Sequence, residues 1–257
     1  MSWNIPLNGI QVIHEGMISR AQRMGRTFIL KKAVFFDLFE TLISEYDDGK
    51  RKAPRSTHFV ERLGIEAKRF ENEWRKRQEK RMDGTYADFP SVLRDIFNEL
   101  GHAVSEETIE KLHQERILSK SKPFKTIDHR ILSMLEQIKR LELKIGLISN
   151  CTPEEVMGWQ SSALVAYFDD AVFSFDVKAA KPDPTIYRIA CDRIGVAPSD
   201  AFFVGDGGSN ELNGASEAGM SAYHATWFIP EIRNLTITGY AKLAEPSDLI
   251  GIINGVK

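Results

Sequence analysis

Four polar residues that could do chemistry stand at or near the ends of separate apolar runs. Asp37 follows Ala33-Val34-Phe35-Phe36, Ser149 ends "KIGLIS", Lys181 lies in "KAAKPDP", and Asp206 follows "AFFVG". They offer a carboxylate nucleophile, a hydroxyl donor, a cation and a second carboxylate. Such a set suits phosphoryl transfer, because a carboxylate can attack phosphorus and form an acyl phosphate once the opposing charges are neutralised. A magnesium ion needs one or two carboxylates and several waters for that purpose. Lys181 and the Ser149 hydroxyl would hold the equatorial oxygens, where charge builds up. Taken singly, Ser149 reads as a residue bonding loop backbone and Lys181 as a solvated charge. Taken jointly, they read as a site.

The elements that must position these residues follow from the pattern around them. Apolar runs alternate with helix-compatible segments such as "HRILSMLEQIKRLEL" and "DPTIYRIACDRIG", the latter stopped by Gly195. A further helix-compatible segment leads from Asn150 to "DAVFSFDV". This alternation predicts an α/β core, a three-layer Rossmann-like parallel sheet with helices on both faces. In such sheets ligands sit beyond the carboxyl ends of the strands. That edge is where Asp37, the Ser149-Asn150 pair, the 178–182 loop and Asp206 should converge.

Two stretches depart from the alternation. "SEYDDGKRKAPRS" is polar and turn-rich, and its Asp-Asp-Gly and Pro54 read as a linker without regular structure. From about Ser56 to Lys122 the pattern is helical, with Phe70 and Trp74 four apart and Ser91 and Ser105 as expected N-caps. The expected layout is an extension over 1–30, a core from 31–50 and 123–257, and an inserted all-helical domain over 51–122. Trp74, Arg77 and Arg81 are spaced to share one helical face, followed by Gly84-Thr85.

With 34 basic and 36 acidic side chains, the net charge of -2 favours no nucleic-acid partner. No apolar stretch reaches the ~20 residues of a membrane span. Cys151 and Cys191 are too few for a disulfide framework, which suits a reducing cytoplasm and buried structural thiols. His58 and His113 lack a second ligand at metal-site spacing and read as surface residues. The oligomeric state has no signature.

"FFDLFETL", "LISN", "KAAKPDPTIY" and "FVGDGGSNE" resemble, in this order and over residues 33–228, the four motifs of the haloacid dehalogenase superfamily, in the branch with a helical cap after the first motif. The resemblance implies a magnesium-dependent hydrolase acting on a small phosphorylated metabolite. It implies Asp37 as nucleophile and metal ligand, the Phe39 carbonyl as a second ligand, Ser149 as phosphate binder and Lys181 as the cation steadying Asp37. Asp206 becomes the principal further metal ligand, and Glu211 the charged candidate beyond it. Gly207 and Gly208 would let backbone approach the ion. Phe39, Glu40, Thr41 and Asn150 flank the reacting groups and are expected to face substrate. In capped members the loop between the first cap helices faces the site, so Arg77 and Arg81 are expected to grip an anionic substrate.

One departure bears on the reaction. Phosphatases of this superfamily carry Asp two residues after the nucleophile, where it protonates the leaving oxygen; here that residue is Phe39. Such acid-base help is worth about 10²–10⁴ in rate. Glu40 would point to the other side of an extended backbone. Haloacid dehalogenases resemble this chain in placing an aromatic residue there, and two alternatives follow. One is carbon–halogen cleavage by Asp37, against which the Gly205-Asp206 start of the fourth motif argues for a retained cation site. The other is a non-catalytic module that binds a phosphate ligand.

Overall fold

The structure is a computed structural model and describes residues 31–47, 50–53, 59–229 and 236–255. The 1–30 extension and His58 lie outside the described residues. The central sheet contains β1 (Ala33–Phe36), β4 (Lys144–Ser149), β5 (Asp170–Phe173), β6 (Ala201–Gly205), β7 (Ser221–Ala225) and β8 (Lys242–Leu243). Their spatial order is β5-β4-β1-β6-β7-β8, and every pairing is parallel.

Strand alternation sends consecutive side chains into two separate cores. Val34 and Phe36 of β1 join Phe202 and Val204 of β6 on one face, while Ala33 and Phe35 join Ala201 and Phe203 on the other. Helix α5 (His129–Arg140) covers the first face through Ile131, Met134, Leu135 and Ile138, with α9 (Pro246–Ile253) adding Leu249. On the second face, α7 (Pro184–Ile194) supplies Ile186, Tyr187 and Cys191, and α8 (Glu211–Glu217) supplies Leu212 and Ala215. These are the three layers expected. The chain winds in opposite directions from β1 to β4 and to β6, so the end of β1 is a topological switch point, and Asp37 stands there.

The helical stretch that precedes α5 has a core of its own. Helix α1 (Ala67–Lys76), α2 (Gln78–Met82), α3 (Phe89–Leu100) and α4 (Glu106–Ser121) enclose Phe59, Phe70, Phe89, Ile96, Phe97 and Leu112. Phe70 stacks on Trp74 at 6.1 Å between centroids, and Phe59 and Phe89 meet these rings edge-on.

Several local expectations are corrected. Within the stretch expected as an irregular linker, β2 (Tyr46–Asp47) pairs antiparallel with β3 (Lys50–Arg51), as two short strands only two residues of sequence apart can do. Ser105 caps α4 as expected. Ser91 does not cap α3: Asp88 does, accepting from the Ser91 amide at 2.8 Å, while the Ser91 hydroxyl accepts from the Asp88 amide in return. Between β4 and β5 three short 3₁₀ turns replace the expected helix, in a stretch punctuated by Pro153 and Gly158. "DAVFSFDV" divides into β5 and the one-turn α6 (Ser174–Val177). The expected single face of Trp74, Arg77 and Arg81 is broken at Arg77, whose φ of -97° and ψ of 8° separate α1 from α2.

Candidate active site

The first turn of the site is built by β1 itself. The Asp37 amide donates to the Val204 carbonyl at 2.9 Å, continuing the ladder one residue past the strand. The chain then turns sharply: the Leu42 and Ile43 amides both donate to the Leu38 carbonyl, and Glu40 adopts a left-handed φ of 56°. The extended geometry assumed for residues 37–40 therefore ends at Phe36, and the turn, not strand alternation, sets where Phe39 and Glu40 lie. Glu40 is spent locally, accepting from the Ser44 hydroxyl at 2.6 Å and the Glu45 amide at 2.8 Å. Burial pushes its carboxyl up, with those two hydrogen bonds opposing. Thr41 is fully buried, and its hydroxyl reaches Asp37 Oδ2 at 3.4 Å. Trp227 donates its indole N–H to the Thr41 carbonyl at 2.8 Å, so it packs the turn from behind.

Lys181 is the hub. Its Nζ donates to Asp37 Oδ1 at 2.5 Å and to Glu211 Oε2, and the residue is 4% exposed. Burial alone would pull the ammonium down, but Asp37 and Glu211 outweigh it and raise Lys181 above the ordinary lysine range. Asn150 fixes the Lys181 backbone from both sides, donating Nδ2 to its carbonyl and accepting from its amide, each at 2.8 Å. Asn150 is thus a residue that positions Lys181; sequence reasoning had it facing substrate.

Asp37, Asp206 and Glu211 each offer a carboxylate oxygen, and these lie within 4.8 Å of one another. Gly205 makes this possible, since a Cβ there would sit 2.1 Å from Glu211 Oε1. Gly207, at φ 83°, turns its amide onto the same Oε1 at 3.0 Å. Burial and the Asp37 charge push the Glu211 carboxyl up, with Lys181 opposing. Lys181 pairs with Asp37 and Glu211, and Asp206 adds a third carboxylate to this cluster of hard oxygen donors. That donor chemistry fits a divalent cation such as magnesium.

Ser149 ends β4, fully buried, and its Oγ has no hydrogen-bond partner among the described residues. A buried orphan hydroxyl costs free energy unless something fills its need. His224, paired with Gly205 across β6 and β7, was not anticipated; it is buried with Nε2 at 3.2 Å from the Asp206 carbonyl. Its signal was weak, a lone histidine inside an apolar strand.

The insertion reaches this edge through charges that the sequence pattern did not single out. Arg116 of α4 donates Nε to Glu154 at 2.7 Å and Nη2 to Glu155 at 2.9 Å, and Thr152 donates its hydroxyl to Glu154. Lys120 bridges Glu45 and Glu155 at 2.9 and 2.8 Å, with its Nζ 5.3 Å from the Phe39 ring centroid. Burial alone would raise Glu155, but Lys120 and Arg116 outweigh it and hold the carboxyl below the usual range. The contribution of this carboxylate is therefore complete above the unfolded value of about 4.3 and is lost as pH falls below it. Urea titrations should show wild type losing stability between about pH 5 and about pH 3 more steeply than Glu155→Gln, which should be less stable near neutrality. Parallel slopes would remove Glu155 from the account.

Arg77 pairs with Glu73 and Asp95, each at 2.6 Å, and so pins α1 to α3. Arg81 is 4% exposed and its guanidinium lies 3.9 Å over the Trp74 ring. Burial pulls it down to about 10. His113 is half-buried beside Glu110, and both cysteines are buried free thiols. Among the described residues no helix is long and apolar enough to cross a membrane.

Residues 31–219 match the sequence profile of the haloacid dehalogenase-like hydrolases. The chain belongs to this family. It is 32% identical over 131 residues to pyrophosphatase PpaX of Bacillus velezensis, an alignment covering 49% of this chain and 59% of that protein. The chain thus spans less than two thirds of that relative's length. It is 26% identical over 196 residues to (S)-2-haloacid dehalogenase 4A of Burkholderia cepacia, covering 74% of this chain and 80% of the dehalogenase. Its fold is shared with a family enzyme from Bacteroides thetaiotaomicron solved in complex with magnesium and inorganic phosphate, at a TM-score of 0.53 and 23% identity, over 76% of this chain and 94% of that one. Hydrolase family and fold are thereby settled, while the relatives divide between phosphate and carbon–halogen chemistry.

Proposed function

We propose that this hydrolase is a magnesium-dependent phosphatase acting on a small phosphorylated metabolite through an aspartyl-phosphate at Asp37. The observation that carries the reading is the cluster itself: Asp37, Asp206 and Glu211 together, with Lys181 bonded to Asp37 and Glu211, and at the end of the neighbouring strand a buried Ser149 hydroxyl without a hydrogen-bond partner among the described residues. Asp37, Asp206 and Glu211, with the Phe39 carbonyl, would hold magnesium, which when bound offsets negative charge on the phosphoryl oxygens.

The residues of the chain divide the remaining work. Lys181 fixes Asp37 Oδ1, so Oδ2, with Thr41 at 3.4 Å, is the oxygen placed to attack phosphorus. The new bond joins Oδ2 to phosphorus as the bond to the leaving oxygen breaks. Ser149 donates to a phosphoryl oxygen, and Lys181 offsets the charge that develops there. Water then attacks phosphorus and releases phosphate, restoring the Asp37 carboxylate. We assign the insertion, over 51–122, to covering the site and excluding bulk water. Arg77 and Arg81 were both expected to contact substrate; the ion pairs of Arg77 favour Arg81 for that role. Two buried free thiols suit a reducing, cytoplasmic setting.

Phosphate release from an aryl phosphate should require magnesium and stop with a chelator; chelator-resistant turnover would overturn the proposal. Phe39 supplies no proton, so activity should favour esters whose leaving group needs none. Phe39→Asp should raise kcat/KM for an alkyl phosphate relative to an aryl phosphate by about 10²-fold, the low end for acid-base help. The low end is expected because Lys120 beside position 39 favours an ionised carboxyl. An unchanged alkyl-to-aryl ratio would show that another group already supplies the proton.

The second reading, hydrolysis of a carbon–halogen bond by the same aspartate, is favoured by Phe39 and by the longer alignment to the dehalogenase. Halide release from 2-haloacids in the presence of chelator would select it.

A further inference from the structure

The turn that joins two of the three clustered carboxylates is held in a backbone conformation its residues do not favour. After β6 the chain is left-handed at Gly207, Ser209 and Asn210, with φ of 83°, 53° and 55°. Glycine adopts that geometry freely. For serine and asparagine it is disfavoured, and it persists only where the surroundings hold it. The competing conformation is close at hand: with Ser209 and Asn210 right-handed, α8 would begin earlier and the backbone between Asp206 and Glu211 would take another course.

On its inner side the turn is bonded to the two carboxylates. The Gly208 amide donates to Asp206 Oδ1 at 2.8 Å, and the Gly207 amide donates to Glu211 Oε1 at 3.0 Å. These bonds place the carboxylates only if the turn itself is fixed. On its outer side it is fixed by side chains outside the cluster. Asn213 of α8 donates Nδ2 to Asn210 Oδ1 at 2.5 Å, and its own Oδ1 accepts from the Tyr240 hydroxyl. Ile237 packs on Gly207 so closely that a Cβ there would lie 2.2 Å from its Cδ1.

We infer that Asn213, steadied by Tyr240, is a positioning residue that keeps the 207–210 turn left-handed and so sets the affinity of Asp206 and Glu211 for a divalent cation. It acts through Asn210 and not as a ligand. A turn free to relax presents the two carboxylates in register for only part of the time, and the apparent affinity falls by that fraction. The inference rests on the magnesium site of the proposed function and adds two residues beyond its ligands.

The test is titration of metal-free, full-length protein with manganese, read from the electron paramagnetic resonance of the free ion, with magnesium in competition. Asn213→Ala should bind the ion about tenfold more weakly, the low end for residues that orient a metal ligand from behind. Tyr240→Phe leaves the bond from Asn213 to Asn210 in place and should lose less. With chelator present, both variants should unfold close to the wild-type temperature, because Asn213 is exposed and the substitution at Tyr240 keeps the ring. Glycine accepts the left-handed conformation unaided, so Asn210→Gly combined with Asn213→Ala should bind more tightly than Asn213→Ala alone. Affinities of Asn213→Ala and Tyr240→Phe within about twofold of wild type overturn the inference and leave the magnesium site standing. Weaker binding by Asn213→Ala that is matched by a lower midpoint in chelator, and that Asn210→Gly does not rescue, also overturns it, since the role is then structural alone. Absence of binding by wild type overturns the magnesium site and the inference together.

Discussion

Asp37→Asn should lower magnesium-dependent phosphate release by about 10³-fold or more, while the thermal midpoint shifts little. The amide keeps the shape of the carboxylate and can still accept from Lys181 through its oxygen, so the turn after β1 has no reason to collapse. The ammonium is not orphaned, because Glu211 remains bonded to it. What disappears is the nucleophile, and losing the group that forms the covalent intermediate removes most of the rate enhancement while binding and charge stabilisation leave a residue. Phosphate release and thermal unfolding on one preparation read both quantities. Activity retained within tenfold would mean that Asp37 is a ligand or a structural partner and another group attacks.

Lys181→Met should be worse for the protein than for any single step. Removing the ammonium leaves Asp37, Asp206 and Glu211 facing one another, with Glu211 1% exposed. Breaking a buried pair from one side costs about 3–5 kcal/mol, because the remaining charge stays buried without its partner. Activity should fall by about 10²–10³, the scale of losing one preorganised charge at the reacting group. The double variant Lys181→Met with Glu211→Gln separates the two effects: it should regain most of the stability and little of the activity. If activity returned with stability, Lys181 would be a scaffold residue only. Because its folded pKa is raised, the stability Lys181 provides is complete below the unfolded value of about 10.4. It drains only as pH rises through the folded value, so the stability gap between wild type and Lys181→Met should not narrow from about pH 6 to about pH 9, and should widen as the carboxylates left without the ammonium ionise.

Much of this site was legible because its residues sit where strand periodicity leaves the chain no choice. Val34 and Phe36 must face one core and Phe35 the other, so Asp37 is delivered to the sheet edge; the same logic places Ser149 and Asp206. The clustering of Asp37, Asp206 and Glu211 follows from those strand ends together with the close approach at Gly205. What stayed hidden depends on contacts between segments far apart in the chain. Glu154, Glu155, Arg116 and Lys120 carry no spacing that singles them out in the sequence, and only the folded chain shows them paired with one another, Lys120 half-buried and the rest buried. Asn150 looked like a substrate contact because it follows Ser149, but a side-chain amide that pairs with a loop backbone has no periodicity to betray it. The pairing of Tyr46–Asp47 with Lys50–Arg51 escapes a reading that takes a polar, glycine-containing stretch only as a break between elements. At Asp88 the cap came three residues before the expected Ser91, since either residue type can fill that role.

The central claim is covalent, and a covalent label tests it most directly. Protein mixed with an aryl phosphate and magnesium, quenched in acid during turnover and digested, should carry one added phosphoryl group on the peptide containing Asp37, absent when chelator is present from the start. Steady phosphate release with no label on that peptide, and the same release from Asp37→Asn, would contradict the account.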